Sequence, residues 1–404
     1  MVVNLWYDYV DYNQFINNLI PASQRIESSK SLKRFLKRNA ELPNFLKTVG
    51  LDFNVLTSQA IPYLKNHNWD EKQYLPVEIN FFTLSDPSIL NFKDSFFLKN
   101  GKSNSDFLFW FPNEAPEDLF YDHFDIIKEK FPNMRVRYVS GNLKTPQWIL
   151  KRDFIDYKSF DYFWWTQQQT PKFSLDKNKE EKYSFTFYNH RSKLHRAVSY
   201  YTLLTEGKLT TAKHTYHGYV DIDIRKNFDY FTKRETINSV SAPEEYLELI
   251  KKSDFLEWCD LNITRSFNFN FSNFVDSSLH NESYLDFSTE TMPIERSDHF
   301  FITEKTYRPI ANGCIFLTLA QPGVLKYLKS KGIETFGDLF DESYDETSHW
   351  YNRWKIIKSN IEIWLKLGAN GRRDYYKKSF DKLVHNQNVI YNRNFKAEIE
   401  ELFK

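Results

Sequence analysis

The sequence predicts an α/β protein built as two lobes, and three observations carry that prediction. The chain has 404 residues, more than one hydrophobic core usually sustains, since cores stop growing at roughly 250–300 residues. Short apolar or alternating runs take turns with amphipathic stretches, which is the rhythm of parallel strands joined by crossover helices. That rhythm breaks at the polar, aperiodic segment "TQQQTPKFSLDKNKEE" (166–181) and then restarts. The expected division is residues 1–170 and 171–404, with a cleft between the lobes.

The elements follow in order. The first 75 residues read mostly as helix, because "QFINNLI", "SLKRFLKRN" and "ELPNFLKTVG" space their apolar residues three and four apart. "PVEINFFTL" (76–84), "SDFLFWFP" (105–112) and "NMRVRYVS" (133–140) read as strands, the last two separated by the helical "PEDLFYDHFDIIKEKF". Beyond the break, "EKYSFTFYN" predicts a strand, "RSKLHRAVSYYTLLTEG" a helix closed by Gly207, "PEEYLELIKKSD" a helix and "ESYLDFSTET" a strand. "DHFFI" reads as a short strand leading to a helix at 304–312 capped by Gly313, then strand "CIFLTLA" and helix "GVLKYLKSKG". Helical patterns from about 348 to 402 finish the chain.

Composition excludes several classes. The 54 basic and 53 acidic side chains nearly cancel, so there is no global field to hold a polyanion, and nucleic-acid binding requires a local basic patch. The two cysteines, Cys259 and Cys314, form no CxxC pair, which argues against disulfide scaffolding and cysteine-rich zinc sites. Asp8 and Asp11 stand where a signal peptide is apolar, and no run reaches the roughly 18 apolar residues that cross a bilayer. A soluble cytoplasmic protein without a membrane span is expected, in a bacterium or a phage-infected cell.

In open α/β sheets ligands sit at the carboxyl ends of strands, where the next helix offers free N–H groups. Two such junctions stand out. At "FYNHRSKLHR" (187–196), Arg191, Lys193 and Arg196 gather at a helix start, a pattern open to two readings: a solvated basic turn or a diphosphate site. At "FFITEKTYRPI", Thr303 can cap the helix, and Glu304 and Arg308 lie on one face at i and i+4. Lys305 opposes the macrodipole, at a cost of roughly a few tenths of a kcal/mol unless it meets an anion. An ion pair on the surface and a ligand site both fit this spacing. No GxxxxGK[ST] or GxGxxG occurs, so basic side chains would replace the usual phosphate cradles.

The stretch "YNHRSKLHR", with "FFITEKTYRPIANG", "QPGVLKYLKSKGIETF" and "DESYDE", resembles phage and bacterial GT-B glycosyltransferases over residues 183–346. Their typical text runs "LNRRPRPHR", "FITEKTWRPI", "PGTLKYLRxLGFKTF" and "DESYD". The "ITEK" helix is also similar to the donor-binding segment of α-1,3-fucosyltransferases, near "VTEKLWR". The resemblance implies two Rossmann-like lobes facing a central cleft, with a helical N-terminal segment and a helical C-terminal tail. It implies a metal-independent, inverting transfer from a nucleotide sugar, with Arg191, Arg196 and Lys305 on the diphosphate, Glu304 on the ribose and Arg308 bracing Glu304. His190 and Lys193 replace arginines of that pattern. Glu290, in "FSTET", matches a "VTET" and is expected to face the same cleft. An inverting transfer needs a general base, and Glu114 in "FPNEAP" looks like the "NExP" glutamate of bacterial fucosyltransferases; Asp122 and Asp125 are fallback candidates.

Other signals carry plainer readings. Asp221 and Asp223 form a DxD pattern like that of metal-dependent glycosyltransferases, but their alternation with Val220, Ile222 and Ile224 also suits the outward face of a strand. His214 and His217 lie just upstream. The "YFWWTQQQ" cluster (162–169) reads as a buried core or hinge, with stacking on a sugar or base as the alternative. The acceptor is expected to be a glycan hydroxyl, or the 5-hydroxymethylpyrimidine of phage-type DNA. For DNA, Lys33, Arg34, Lys37 and Arg38 in "SLKRFLKRN" supply the basic patch. A catalytically inactive GT-B-like binding protein and a DxD metal-dependent glycosyltransferase are the alternatives. Oligomeric state has no signature in the sequence.

Overall fold

A computed structural model describes residues 2–6, 41–48, 51–56, 73–77, 105–111, 124–125, 128–129, 132–133, 135–189, 193–216, 242–261, 277–295 and 298–403. The chain divides into two compact units: Met1–Tyr162 with Asp298–Phe300 and Asn394–Lys404, and Phe163–Ser297 with Phe301–Arg393. The division falls a few residues before the expected 170/171 boundary, and the last residues group with the first unit.

The first unit holds β1 (Val2–Trp6), β2 (Asp52–Leu56), β3 (Gln73–Val77), β4 (Ser105–Phe111), β5 (Arg135–Ser140) and β6 (Ile155–Ser159). They form one sheet in the order β2-β1-β3-β4-β5-β6, parallel throughout. Parallel sheets are covered on both faces, which is why β4 reads as a near-continuous apolar run. Phe124 meets Phe109 edge to face at a centroid distance of 4.9 Å and stacks on Trp148 at 5.6 Å. Arg137 is the exception inside β5: buried, it pairs with Asp156 at 2.7 Å and donates to the Leu402 carbonyl at 2.8 Å. Those partners let a charge sit in the core.

The helical reading of the N-terminus needs correction. "ELPNFLKTVG" does hold a helix, α1 (Glu41–Thr48), but β1 and β2 are strands. Five-residue runs are too short to display a period of two against a background of three-and-four spacing. "QFINNLI" and "SLKRFLKRN" lie outside the described residues; "PVEINFFTL" overlaps β3 at Pro76 and Val77, and its other residues lie outside the described ones. The "DHFFI" strand is absent too. Its backbone runs outside both sheets, and Asn142 Oδ1 accepts from Phe300 N at 2.8 Å in place of a neighbouring strand.

The second unit holds β7 (Thr186–Asn189), β8 (Lys213–Tyr216), β9 (Leu285–Thr289) and β10 (Ile315–Leu319), in the order β10-β9-β7-β8, all parallel. Read from its first strand, the sheet winds first to β8 on one side and then to β9 and β10 on the other. That doubly wound order puts a topological switch point between β7 and β9, the position where such sheets bind ligands. Helices α2 (Tyr162–Gln168), α3 (Leu194–Thr205), α4 (Glu244–Lys251), α5 (Ser253–Leu261), α6 (Glu304–Ala311) and α7 (Val324–Ser330) connect or flank these strands. The chain closes with α8 (Trp350–Lys366), α9 (Gly368–Lys378) and α10 (Phe380–Asn392) in this unit and α11 (Lys396–Leu402) in the first.

Alternation along β9 decides what each face receives. Phe287 stacks on Phe187 at 4.5 Å and on Trp354 of α8 at 5.6 Å. Asp286 and Ser288 face the other way, towards α6. That helix ends at Gly313, whose φ of 65° suits glycine and whose Cα approaches Leu175 so closely that an added Cβ would lie 2.5 Å from it. Trp164 of α2 is fully buried against Tyr307 and donates to the Ile390 carbonyl at 3.0 Å. The aromatic cluster at 162–169 therefore does core work.

The acidic run "DESYDE" also acquires a role. Asp345 is buried and accepts from the Leu325 and Lys326 amides, each at 2.9 Å, so its carboxylate caps the first turn of α7. Asp345→Ala is expected to cost about 1–2 kcal/mol, read as a lower denaturant midpoint, with Asp345→Asn losing less; an unchanged midpoint in both would remove the cap.

Residue His349 begins α8 by a related device, its Nδ1 accepting from Tyr351 N at 3.1 Å. Burial, helped by Arg353, pushes its pKa down from 6.5 to about 4. A folded value below the unfolded one means that the unfolded chain binds more protons between them, so stability is lost as pH falls from about 6.5 towards 4. His349→Asn keeps a capping oxygen without the titration. Its denaturant midpoint should vary less than that of the unsubstituted protein between pH 7 and pH 4.5, and equal pH slopes would refute the assignment.

Candidate functional site

Three side chains at the start of α3 meet three consecutive carbonyls at the end of β9. Lys193 Nζ donates to Thr291 O at 2.8 Å, His195 Nε2 bonds Glu290 O at 2.9 Å, and Arg196 Nη2 donates to Thr289 O at 3.1 Å. Burial, reinforced by the Arg196 and Lys193 charges, holds His195 well below its ordinary value. It is therefore neutral near pH 7, with Nε2–H as the donor to the carbonyl. "KLHR" thus ties the β7–α3 junction to the strand across the switch point. Arg196 is only 3% exposed, so its expected place on a diphosphate gives way here to a structural anchor. Lys193 is half-buried.

The second junction converges on the same spot. Thr303 adopts extended geometry and caps α6, its hydroxyl accepting from Lys305 N. The Lys305 ammonium lies 2.7 Å from Glu304 Oε1, 3.3 Å from Thr303 Oγ1 and 3.5 Å from Thr291 Oγ1. The flexible lysine stem folds back across the helix start to reach its neighbour Glu304. Lys193 on the Thr291 carbonyl and Lys305 on its hydroxyl bring two ammonium groups to one residue at the carboxyl edge of β9. Burial raises the Glu304 carboxyl, but the Lys305 and Arg308 charges more than offset this and hold it below its ordinary value. Glu304 is thus an ionised acceptor beside Lys305, with Arg308 as the second cation acting on it.

Glu290 closes the arrangement from beneath. Its carboxylate is fully buried and accepts from Thr303 N, Thr303 Oγ1, Thr306 Oγ1 and Thr291 N. It had been expected to face a ligand; its oxygens are directed to the α6 start and the Thr291 amide instead. The 291–295 loop is pinned further by Gln321, which donates to Ile294 O at 3.0 Å and accepts from Phe301 N at 2.9 Å, and by Arg353, which donates to Pro293 O. The roles of His195, Thr291, Gln321 and Arg353 had no signal in spacing, because each depends on a partner supplied by another element.

Several expected site residues lie outside the described residues: Glu114, Arg191, Asp221, Asp223, His217, Asp122 and the Lys33, Arg34, Lys37, Arg38 patch. Of the rest, Asp125 in the first unit is paired through both oxygens with Arg152, at 2.9 and 2.7 Å. The Arg152 hydrogen bonds hold its carboxyl below the usual range, the wrong direction for a general base. His214 bonds the Tyr200 hydroxyl at 2.8 Å. No cluster of three or more metal-ligating side chains occurs among the described residues. No helix among them is long and apolar enough to cross a membrane.

No family model matches the chain, and no curated protein matches it significantly. Among solved structures it is similar to a T4 phage BGT mutant in complex with UDP-glucose, with a TM-score of 0.36 and 10% identity, over 89% of this chain and 92% of that one. UDP-glucose is the ligand of that protein.

Proposed function

We propose that the protein is a nucleotide-sugar-dependent glycosyltransferase whose donor binds the second unit at the carboxyl ends of β7 and β9. The observation that carries this reading is the convergence of Lys193 and Lys305 on Thr291, at the switch point of a doubly wound sheet. Two ammonium groups beside a helix N-terminus suit a diphosphate. Glu304, ionised and adjacent, suits ribose hydroxyls as donors. Arg191 is assigned to the same diphosphate, while Arg196 and Glu290 hold the frame.

In this mechanism the acceptor hydroxyl attacks the anomeric carbon as Glu114 takes its proton. The bond from that carbon to the diphosphate oxygen breaks, and the leaving nucleotide carries the negative charge to Lys193 and Lys305. Attack opposite the leaving group inverts the anomeric centre. No metal is required, because the lysines supply the positive charge. The acceptor is a glycan hydroxyl or a hydroxymethylated base in DNA.

Incubation with UDP-, GDP-, CMP- and dTDP-sugars tests the reading. One donor should be consumed, by hydrolysis if no acceptor is present, and a chelator should leave the rate unchanged. Failure to turn over any donor would reject the enzyme assignment, and complete loss with chelator would revive Asp221 and Asp223 as a metal site.

A further inference from the structure

Glu290 occupies an unusual place: a fully buried carboxylate beneath a site built of cations. Its Oε1 accepts from Thr303 N at 3.0 Å and Thr306 Oγ1 at 2.6 Å; its Oε2 accepts from Thr303 Oγ1 at 2.6 Å and Thr291 N at 3.2 Å. A carboxylate only accepts, so both threonine hydroxyl protons point towards it. The direction of the surrounding bonds follows. With its proton on Glu290, the Thr303 oxygen has lone pairs left for Lys305 N and Nζ, at 3.4 and 3.3 Å. With the Thr306 proton committed likewise, Thr318 donates to Thr306, and Ser288 donates to Thr318. A chain of hydroxyls from β9 and β10 thus runs one way, through α6, and ends on Glu290.

We propose that Glu290 is the positioning residue of the anion site. Through the Thr291 amide it holds the residue on which Lys193 and Lys305 both rest. Through Thr303 it sets the hydroxyl polarity that caps α6 and orients the Lys305 ammonium. It joins the two junctions at one pair of oxygens and touches no ligand itself. The assignment rests on the donor-site reading above and adds to it the residue that spaces the two cations.

Isothermal titration of inorganic pyrophosphate into the full chain tests it. In Glu290→Gln an amide N–H2 replaces one acceptor, which frees the Thr303 hydroxyl to turn away from Lys305. Pyrophosphate affinity should fall about tenfold or more, measured well below the melting temperature of the variant. Thr306→Val keeps the shape of the core, removes one donor to Glu290, and should weaken binding about threefold. In the double variant Glu290→Gln, Lys305→Met the two losses should be less than additive, because both changes act in part on the same ammonium.

A merely structural carboxylate would lower the melting temperature and leave pyrophosphate affinity unchanged. That result, in Glu290→Gln or, if that variant does not fold, in Thr306→Val, overturns the proposal. The donor-site reading survives it if Lys305→Met still weakens binding. Absence of pyrophosphate binding by the unsubstituted protein overturns both.

Discussion

Substituting Lys305 by methionine is expected to weaken nucleoside diphosphate binding by about 10- to 100-fold, the equivalent of one charge-assisted hydrogen bond of roughly 1.5–3 kcal/mol. Methionine keeps most of the apolar stem and removes the ammonium. The effect should exceed that of Lys193→Met, because Lys305 stands in the first turn of α6, where helix dipole and free amides already favour the anion. Lys305 also holds Glu304 at 2.7 Å, so its loss leaves that carboxylate to repel the phosphates it now helps to place. Calorimetric titration with the best-bound nucleotide measures the change. The melting temperature without ligand should move little, since Lys305 is partly exposed, with 26% of its side-chain surface accessible.

Glu114→Gln is expected to have the larger effect on rate. Loss of a general base costs roughly 10²–10⁴ in turnover, whereas nucleotide affinity should be unchanged because the donor contacts belong to the second unit. The assignment rests on the sequence beyond β4, which ends at Phe111, three residues before Glu114. Asp125, the described fallback, is already committed to Arg152. A transfer rate within about threefold of the unsubstituted enzyme would contradict the base assignment.

Well-bounded elements were legible in the sequence. β4 and β10 are apolar runs, β5 and β9 mix apolar with polar residues, and α6 follows its Thr303 cap, each close to where pattern alone places it. β1 and β2, as short as β9 and β10, were hidden because the three-and-four spacing of the segments around them dominates the pattern. "DHFFI" misled for a physical reason. Apolar content signals burial, but the ladder that makes a strand is replaced by side-chain acceptors, Gln321 for Phe301 among them. At the site, spacing located both junctions but could not apportion their charges. Lys193 and Arg196 look equivalent in the sequence, yet one is half-buried beside Thr291 and the other is sealed against Thr289. Glu290 read as a ligand contact because its partners, Thr303 and Thr306, lie in the next helix.

The most direct test of the donor site is a thermal-shift titration of the unsubstituted protein and Lys305→Met with UDP, GDP, CMP and dTDP, since a ligand that binds only the folded state raises its stability by mass action. One nucleotide class should raise the melting temperature of the unsubstituted protein in a concentration-dependent way, and the same concentrations should leave Lys305→Met nearly unshifted. No shift with any nucleotide, or an equal shift in both proteins, would contradict a diphosphate site at the start of α6.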